Sequence, residues 1–377
     1  MLNSSHRSLK TDRRGAIGLA MRVALTAALA LVLFPGSHAV SDGTPWLGLP
    51  VAADTDLPGD RALQIELGRR LFLEPHLAED GVVSCSMCDV PEQGFALNQL
   101  TTASGRGGII LRRNAPSLLN IGLAKSLFRD GRVHSLEDQI WGPLLNVEEQ
   151  WNPSVEDVVS RLKARPIYAK AFRSAFAGQR VSKQLIGAAL AAYERSLVVA
   201  GSPFDQWYFG KNEGALSNEA RAGLDVFRAR RCGHCHTIER DHATFTDDTY
   251  RNTGIEWARI NADLGTTRGV PDVGRFVVTG RETDRYAFRV PTLRNVALTF
   301  PYMHDGSLAT LRDVVDFYDV GNGADPQRDK RLRRLNLTEP QKKTIGRVFG
   351  IAHKRERRRA GKASARAVQR SLTTGLW

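Results

Sequence analysis

The 377-residue chain is predicted to be mainly α, with two helical domains and long loops. Three observations lead there. Apolar residues recur three and four apart through most of the body, while runs alternating with period two are scarce. Long stretches bearing Gly, Pro and Asn, such as Thr101 to Arg113 and Asn261 to Arg281, separate those patterns. One Cys-x-x-Cys spacing falls in each half, Cys85/Cys88 and Cys232/Cys235, and these four are the only cysteines.

The first body helix is expected over Asp60 to Phe72, where Leu63, Leu67 and Leu71 lie four apart. Ser154 starts another, with Asp157 three residues on; a short polar side chain at that place accepts a hydrogen bond from the unpaired N–H groups of a first turn. Ser182 to Leu197 is a long Ala/Leu-rich helix, and Gly201-Ser202-Pro203 behind it marks the domain boundary. Ser217 opens a helix with Leu224 and Phe227 on its buried face, which runs into Cys232. Thr338 with Gln341 forms a capping box for the last helix, with Pro340 in its first turn. Gly105-Arg106-Gly107-Gly108 lacks both a preceding strand and phosphate-loop spacing, and reads as a flexible turn.

Residues 1–39 read as a secretory signal: a basic start (Arg7, Lys10, Arg13, Arg14), an apolar run from Val23 to Phe34, and a cut after Ala39. That places the protein in the periplasm. The apolar run falls short of the roughly 20 residues a spanning helix needs, so an uncleaved anchor is the lesser reading. The expected organisation is then a signal at 1–39, domains at 40–200 and 201–352, and a tail at 353–377. Formal charge is +13, but residues 1–39 carry five Lys/Arg against one Asp and the tail from His353 to Arg370 eight against one Glu. Charge gathered at the ends argues against a nucleic-acid partner. The tail reads as a solvated extension, or as a surface for an acidic partner or anionic lipid that salt would screen.

Cys232-Gly-His-Cys-His236 has the spacing of covalent haem attachment. Two thiols add to the two vinyl groups of one haem, and the next His is held beneath the iron as an axial ligand. A disulfide is the alternative for each pair in an oxidising compartment, yet it leaves His236 without a role. For Cys85-Ser-Met-Cys88 it stays open, because Asp89 stands where a His is expected. Zinc shared by the two pairs is the remaining option, and His236 speaks against it.

Further motifs follow in one order: Val83-Ser84-Cys85, Pro91-Glu92-Gln93-Gly94-Phe95, Arg113-Asn114-Ala115-Pro116, Asp130-Gly131-Arg132, Gly142-Pro143-Leu144, Phe288 to Asn295, and Pro301-Tyr302-Met303-His304-Asp305-Gly306. Over about Leu63 to Phe349 the chain thereby resembles the bacterial dihaem cytochrome c peroxidases and their MauG-type relatives. The resemblance implies two cytochrome-c-like helical domains, each with a haem c, and a calcium ion between them. Cys232 and Cys235 would hold the C-terminal haem with His236 below it. Its second ligand falls fourteen residues after His304, where peroxidases carry Met and the MauG type Tyr; this chain has Tyr318. A phenolate stabilises ferric and higher iron states better than a thioether, which favours the MauG branch. Asn114 by its side chain, and Thr299 and Pro301 by their carbonyls, would bind the calcium. Gln139 and Glu149, ten apart, would form the distal pocket of a peroxide-reacting haem on Cys85 and Cys88, with the carboxylate passing the proton; Glu148 is an alternative to Glu149.

Two departures fall on that N-terminal site. Asp89 is shorter than the expected His and reaches iron poorly; His76, His134 and Met87 are substitute candidates, each equally readable as a surface residue. Arg129 precedes Asp130-Gly131-Arg132 where the family has a Trp between its haems, and Arg cannot relay electrons by oxidation. Trp141 lies nearby in sequence and reads chiefly as a core residue. The leading expectation is a periplasmic MauG-like oxidoreductase that uses hydrogen peroxide or a high-valent iron state to oxidise a partner protein. The alternative is a mono-haem electron carrier or scaffold with a degenerate N-terminal site.

Overall fold

The computed structural model describes residues 46–50, 58–261, 270–321 and 325–350. The signal at 1–39 and the basic tail lie outside the described residues, as does part of the loop after Asn261. Among the described residues the N-terminal half runs α1 (Arg61–Phe72), α2 (Leu136–Gln139), α3 (Trp141–Leu145), α4 (Val155–Lys163), α5 (Pro166–Ala175) and α6 (Lys183–Ser196). The C-terminal half runs α7 (Pro203–Tyr208), α8 (Asn218–Ala229), β1 (Tyr250–Asn252), α9 (Ile255–Asn261), α10 (Phe276–Thr279), β2 (Ala287–Arg289), α11 (Leu311–Val320) and α12 (Glu339–Gly350). Strands β1 and β2 pair antiparallel, with Arg251 opposite Phe288, and form the one sheet of the described residues. The fold is therefore mainly α, as expected.

Local chemistry sets the helix starts. Asp60 accepts from the Leu63 N–H at 3.1 Å, Ser154 from Asp157 at 3.2 Å, Ser182 from Leu185 at 3.3 Å and Ser217 from Ala220 at 3.3 Å. Thr338 and Gln341 exchange the two bonds of a capping box. Further boxes at Ser202 and Thr310 open α7 and α11. The leucine stripe of α1 departs from expectation at its first member. Leu67 and Leu71 are buried, but Leu63 is 43% exposed. Gln64 takes the inward place there and donates its amide to the carbonyls of Pro58 and Ala175.

In each half a close helix crossing is built on a glycine. Where α1 meets α6, a Cβ on Gly68 would lie 1.9 Å from the Ala189 carbonyl oxygen; where α8 meets α12, one on Gly223 would lie 2.2 Å from that of Thr344. Backbones can approach this closely only without the side chain. Around α1, α3, α4, α5 and α6 the larger core gathers Phe72, Leu144, Leu162, Phe172, Phe176 and Leu190. Smaller cores in the other half hold Phe204, Leu224 and Phe227, and Val315, Leu337 and Ile345.

Charged side chains join the two halves. Arg113 donates to Asp130 at 2.7 Å and, through two nitrogens, to Asp272 at 2.6 and 2.7 Å. Arg275 reaches the carbonyls of Asp130 and Gly131 at 2.7 and 2.8 Å, and the Asn114 N–H donates to the His304 carbonyl at 2.7 Å. Burial would raise Asp272, but the Arg113 guanidinium overcomes it and holds the carboxyl down to about 2. Glu256 is likewise held to about 2, against burial, by His304 at 3.5 Å and by hydrogen bonds from Arg259 and the Asp272 N–H.

Gly68→Ala is expected to destabilise the protein by about 1–3 kcal/mol through overpacking, read from denaturant unfolding. Arg113→Met, which leaves Asp272 without its ion-pair partner while Asp130 keeps Arg132, is expected to cost about 3–5 kcal/mol in the same measurement. Folded pKa values below the unfolded ones mean that the contribution of Asp272 and Glu256 is complete above about pH 4 and lost on acidification toward pH 2. Stability measured across that window should fall less steeply in Asp272→Asn than in the parent protein.

Candidate haem centre

Helix α8 delivers the second cysteine pair. It ends at Ala229, Arg231 turns the chain with a left-handed φ of 62°, and Cys232–His234 form a single tight turn. The Cys235 and His236 N–H groups both bond to the Cys232 carbonyl, at 3.3 and 3.0 Å. His236 Nδ1 lies 3.0 Å from the Phe245 carbonyl oxygen and donates to it, so the other ring nitrogen is the one free to accept a metal. Burial holds this imidazole below its usual pKa and hence in the neutral, ligating form.

Helix α11 brings Tyr318 to the cavity that His236 lines. Burial pushes its phenol well up, with Cys235 and Cys232 adding to the effect. Burial likewise pushes the Cys232 thiol up to about 11. Cys232, Cys235, His236 and Tyr318 share the lining of a cavity of about 700 Å³ with apolar Phe227, Leu293, Val315 and Leu337. That volume lies within the roughly 300–1,000 Å³ usual for cofactor and ligand sites. Two thiols, a neutral imidazole and a phenol in one cavity, whose lining mixes apolar side chains with arginines such as Arg231 and Arg334, fit a covalently held haem.

The N-terminal pair is set differently. Cys85–Met87 form a tight turn, and Cys85 packs on the larger core, where Gln150 Nε2 donates to its sulfur at 3.7 Å. Burial, and Asp89 after it, push both Cys85 and Cys88 up to about 12. Burial and Glu149 push Asp89 itself up to about 8, so that it is a neutral carboxylic acid at pH 7. The two thiols suit thioether attachment, whereas a protonated, short carboxyl does not suit the axial position. Glu149 lies with this group: it acts on Asp89 and Cys88, accepts from Asn146 at 2.6 Å, and is raised by burial. Glu148 is exposed.

Gln139 ends α2 half-buried, and among the described residues no hydrogen bond ties its side chain to the thiols. Neither histidine joins the site: His76 pairs with Glu74 at 2.5 Å, and exposed His134 lies 3.2 Å from the Lys125 carbonyl. Met87 is 51% exposed, and Trp141 is a core residue. All four cysteines are free thiols. Among the described residues, no cluster of three His, Cys, Asp or Glu is arranged to hold a metal.

Two residues beside Cys85 escape a reading of the sequence. Buried Gln150 and Glu194 each keep a side-chain oxygen without a partner. Burial, then Asp89, push Glu194 up to about 8. Its signal was a carboxylate four residues after Leu190 and eight after Ile186, on the inward face of α6. Gln150, next to Glu149, carried none.

Asn114, Thr299 and Pro301, the residues expected to bind calcium, line the same cavity together with Arg129. Asn114 Oδ1 accepts from Arg129 Nη2 at 3.0 Å, and the Asn114 carbonyl from Arg129 Nε at 3.2 Å. The oxygens of Asn114 are thus already bound to a cation, which does not fit a calcium shell of six to eight oxygens.

Comparison with known proteins agrees with this arrangement. Residues 62–213 match the family model for di-haem cytochrome c peroxidase. The methylamine utilization protein MauG of Methylorubrum extorquens is 35% identical over 75% of this chain and 76% of its own length. Cytochrome c551 peroxidase of Pseudomonas aeruginosa is 36% identical over 67% of this chain and 70% of its own. A crystal structure of a MauG-like protein associated with microbial copper homeostasis superposes with a TM-score of 0.71 at 27% identity, over 83% of this chain and 95% of that one. With identity of this extent joined to a thiol, imidazole and phenol set around one cavity, the chain belongs to the MauG and dihaem cytochrome c peroxidase family and is a peroxidase-type haem c oxidoreductase.

Proposed function

We propose that this oxidoreductase works in the periplasm and uses hydrogen peroxide to oxidise a partner protein, with its secure redox centre on Cys232 and Cys235. The observation that carries the reading is that His236, Tyr318 and both thiols line one cavity. Haem c bound there supplies a one-electron redox iron. His236 holds its tautomer through the Phe245 carbonyl and offers its second nitrogen; Tyr318 offers an oxygen, a donor that favours the oxidised state over the reduced one. Each peroxide consumes two electrons, drawn from the partner, and two protons to become two waters. Glu149 is the group suited to hold and return a proton, since Asn146 fixes its Oε1 and burial raises it. Periplasmic location is supported by the signal-like residues 1–39, and no described helix is long and apolar enough to cross a membrane.

Asp89 favours a second reading, in which the N-terminal pair has lost its haem and the chain is a mono-haem carrier. Covalent haem stoichiometry, by intact mass and pyridine haemochrome on protein matured in a host with c-type assembly, separates the two: two haems support the peroxidase reading, one haem the carrier. Glu149→Gln is expected to lower peroxide-dependent oxidation about a hundredfold or more with haem content unchanged; undiminished turnover would remove Glu149 from the mechanism. Tyr318→Met is expected to raise the reduction potential of the C-terminal haem, and an unchanged potential in redox titration would show that the phenol is not a ligand.

A further inference from the structure

We infer that the guanidinium of Arg129 is the built-in cation of the junction between the two halves and stands in the place of calcium. The inference rests on membership of the family, where the resemblance leads one to expect the ion, and not on peroxide turnover.

The geometry carries it. Arg129 lines the same cavity as Asn114, Thr299 and Pro301. Its Nη2 and Nε bond to the side-chain and main-chain oxygens of the one residue, Asn114, whose amide oxygen the ion would need. Asn114 is itself fixed on every side: it is buried, its amide nitrogen donates to the Thr101 carbonyl at 3.2 Å, and its backbone N–H to the His304 carbonyl at 2.7 Å. These bonds hold its amide oxygen on the guanidinium. The Arg129 carbonyl accepts from the Arg289 N–H at 2.7 Å, which ties the guanidinium's own backbone across the junction to β2.

Charge around the site points the same way. Arg113 and Arg289 act on Arg129 as like charges, and Asp305 is the carboxylate that opposes them. Asp130, Asp272 and Asp248 are engaged elsewhere, the first two by Arg113 and the third by Arg289 at 2.9 Å. Burial and these neighbours lower Arg129 to about 10, which leaves it charged at neutral pH. A divalent ion at the Asn114 oxygen would lie in direct contact range of that fixed charge, whereas a single guanidinium supplies directional N–H donors to the same oxygens.

The test uses the full-length, haem-loaded protein. Elemental analysis after equilibration in millimolar calcium and desalting should find no stoichiometric calcium, and Tm should be the same in calcium as in EGTA. Arg129→Gln removes the charge and keeps an amide of moderate size. In EGTA this variant should melt below the parent, and isothermal titration should show that it has gained calcium binding which the parent lacks. One tightly held calcium per parent chain, removed by EGTA with a fall in Tm, would overturn the inference. So would an Arg129→Gln protein that melts with the parent in EGTA, or one that gains no calcium affinity. These readouts are independent of haem number and of peroxide, so their failure leaves the proposed function standing.

Discussion

One arginine between two carboxylates supplies an ion pair that joins the two halves of this molecule, alongside the hydrogen bonds of Arg275 and Asn114. Arg113, from the N-terminal half, is bidentate to Asp272 in the other half and bonded also to Asp130. Burial alone would push Arg113 down, and the hydrogen bonds to Asp272 and Asp130 more than reverse it. Such a pair gains little over apolar packing of the same volume, but breaking it is costly, so it acts mainly to fix geometry. The haem cavity depends on that geometry because its walls come from both halves: Asn114 and Arg129 on one side, His236 and Tyr318 on the other.

The contrast between the two cysteine pairs is one of electrostatics. The cavity of Cys232 and Cys235 holds an imidazole kept uncharged by burial, a phenol kept protonated until something draws its proton, and several arginines, Arg230 and Arg231 among them. Around Cys85 and Cys88 three carboxyl groups, Asp89, Glu149 and Glu194, crowd into low-dielectric surroundings and push one another toward neutrality. A His at position 89 would have supplied both an iron ligand and a basic partner for those acids. Asp89 removes the first and adds to the crowding.

What the sequence could convey was local. Asp60, Ser154, Ser182, Ser217 and Thr338 cap their helices through atoms three residues away, so type and spacing sufficed. Cys232 to His236 is likewise contained in a single turn. Leu63 misled because the stripe of α1 meets the core only from its second turn, and Gln64 satisfies its amide with a carbonyl 111 residues away. Arg129 was legible as a lost Trp but not as the partner of Asn114, since that bond forms only when the loops before α2 fold back on one another. Glu194 was hidden for the same reason: its carboxylate becomes buried through packing that no short window contains.

The shared cavity wall has a consequence for how the molecule can be divided. Severed at Gly201, the C-terminal half would retain Cys232, Cys235, His236 and Tyr318, yet lose the residues between Asn114 and Arg129 that line the same cavity. Water would then reach cavity surface that the intact chain covers, and a raised local dielectric retunes redox potential even where every ligand is kept. Dissection into separate halves therefore changes the quantity it is meant to isolate.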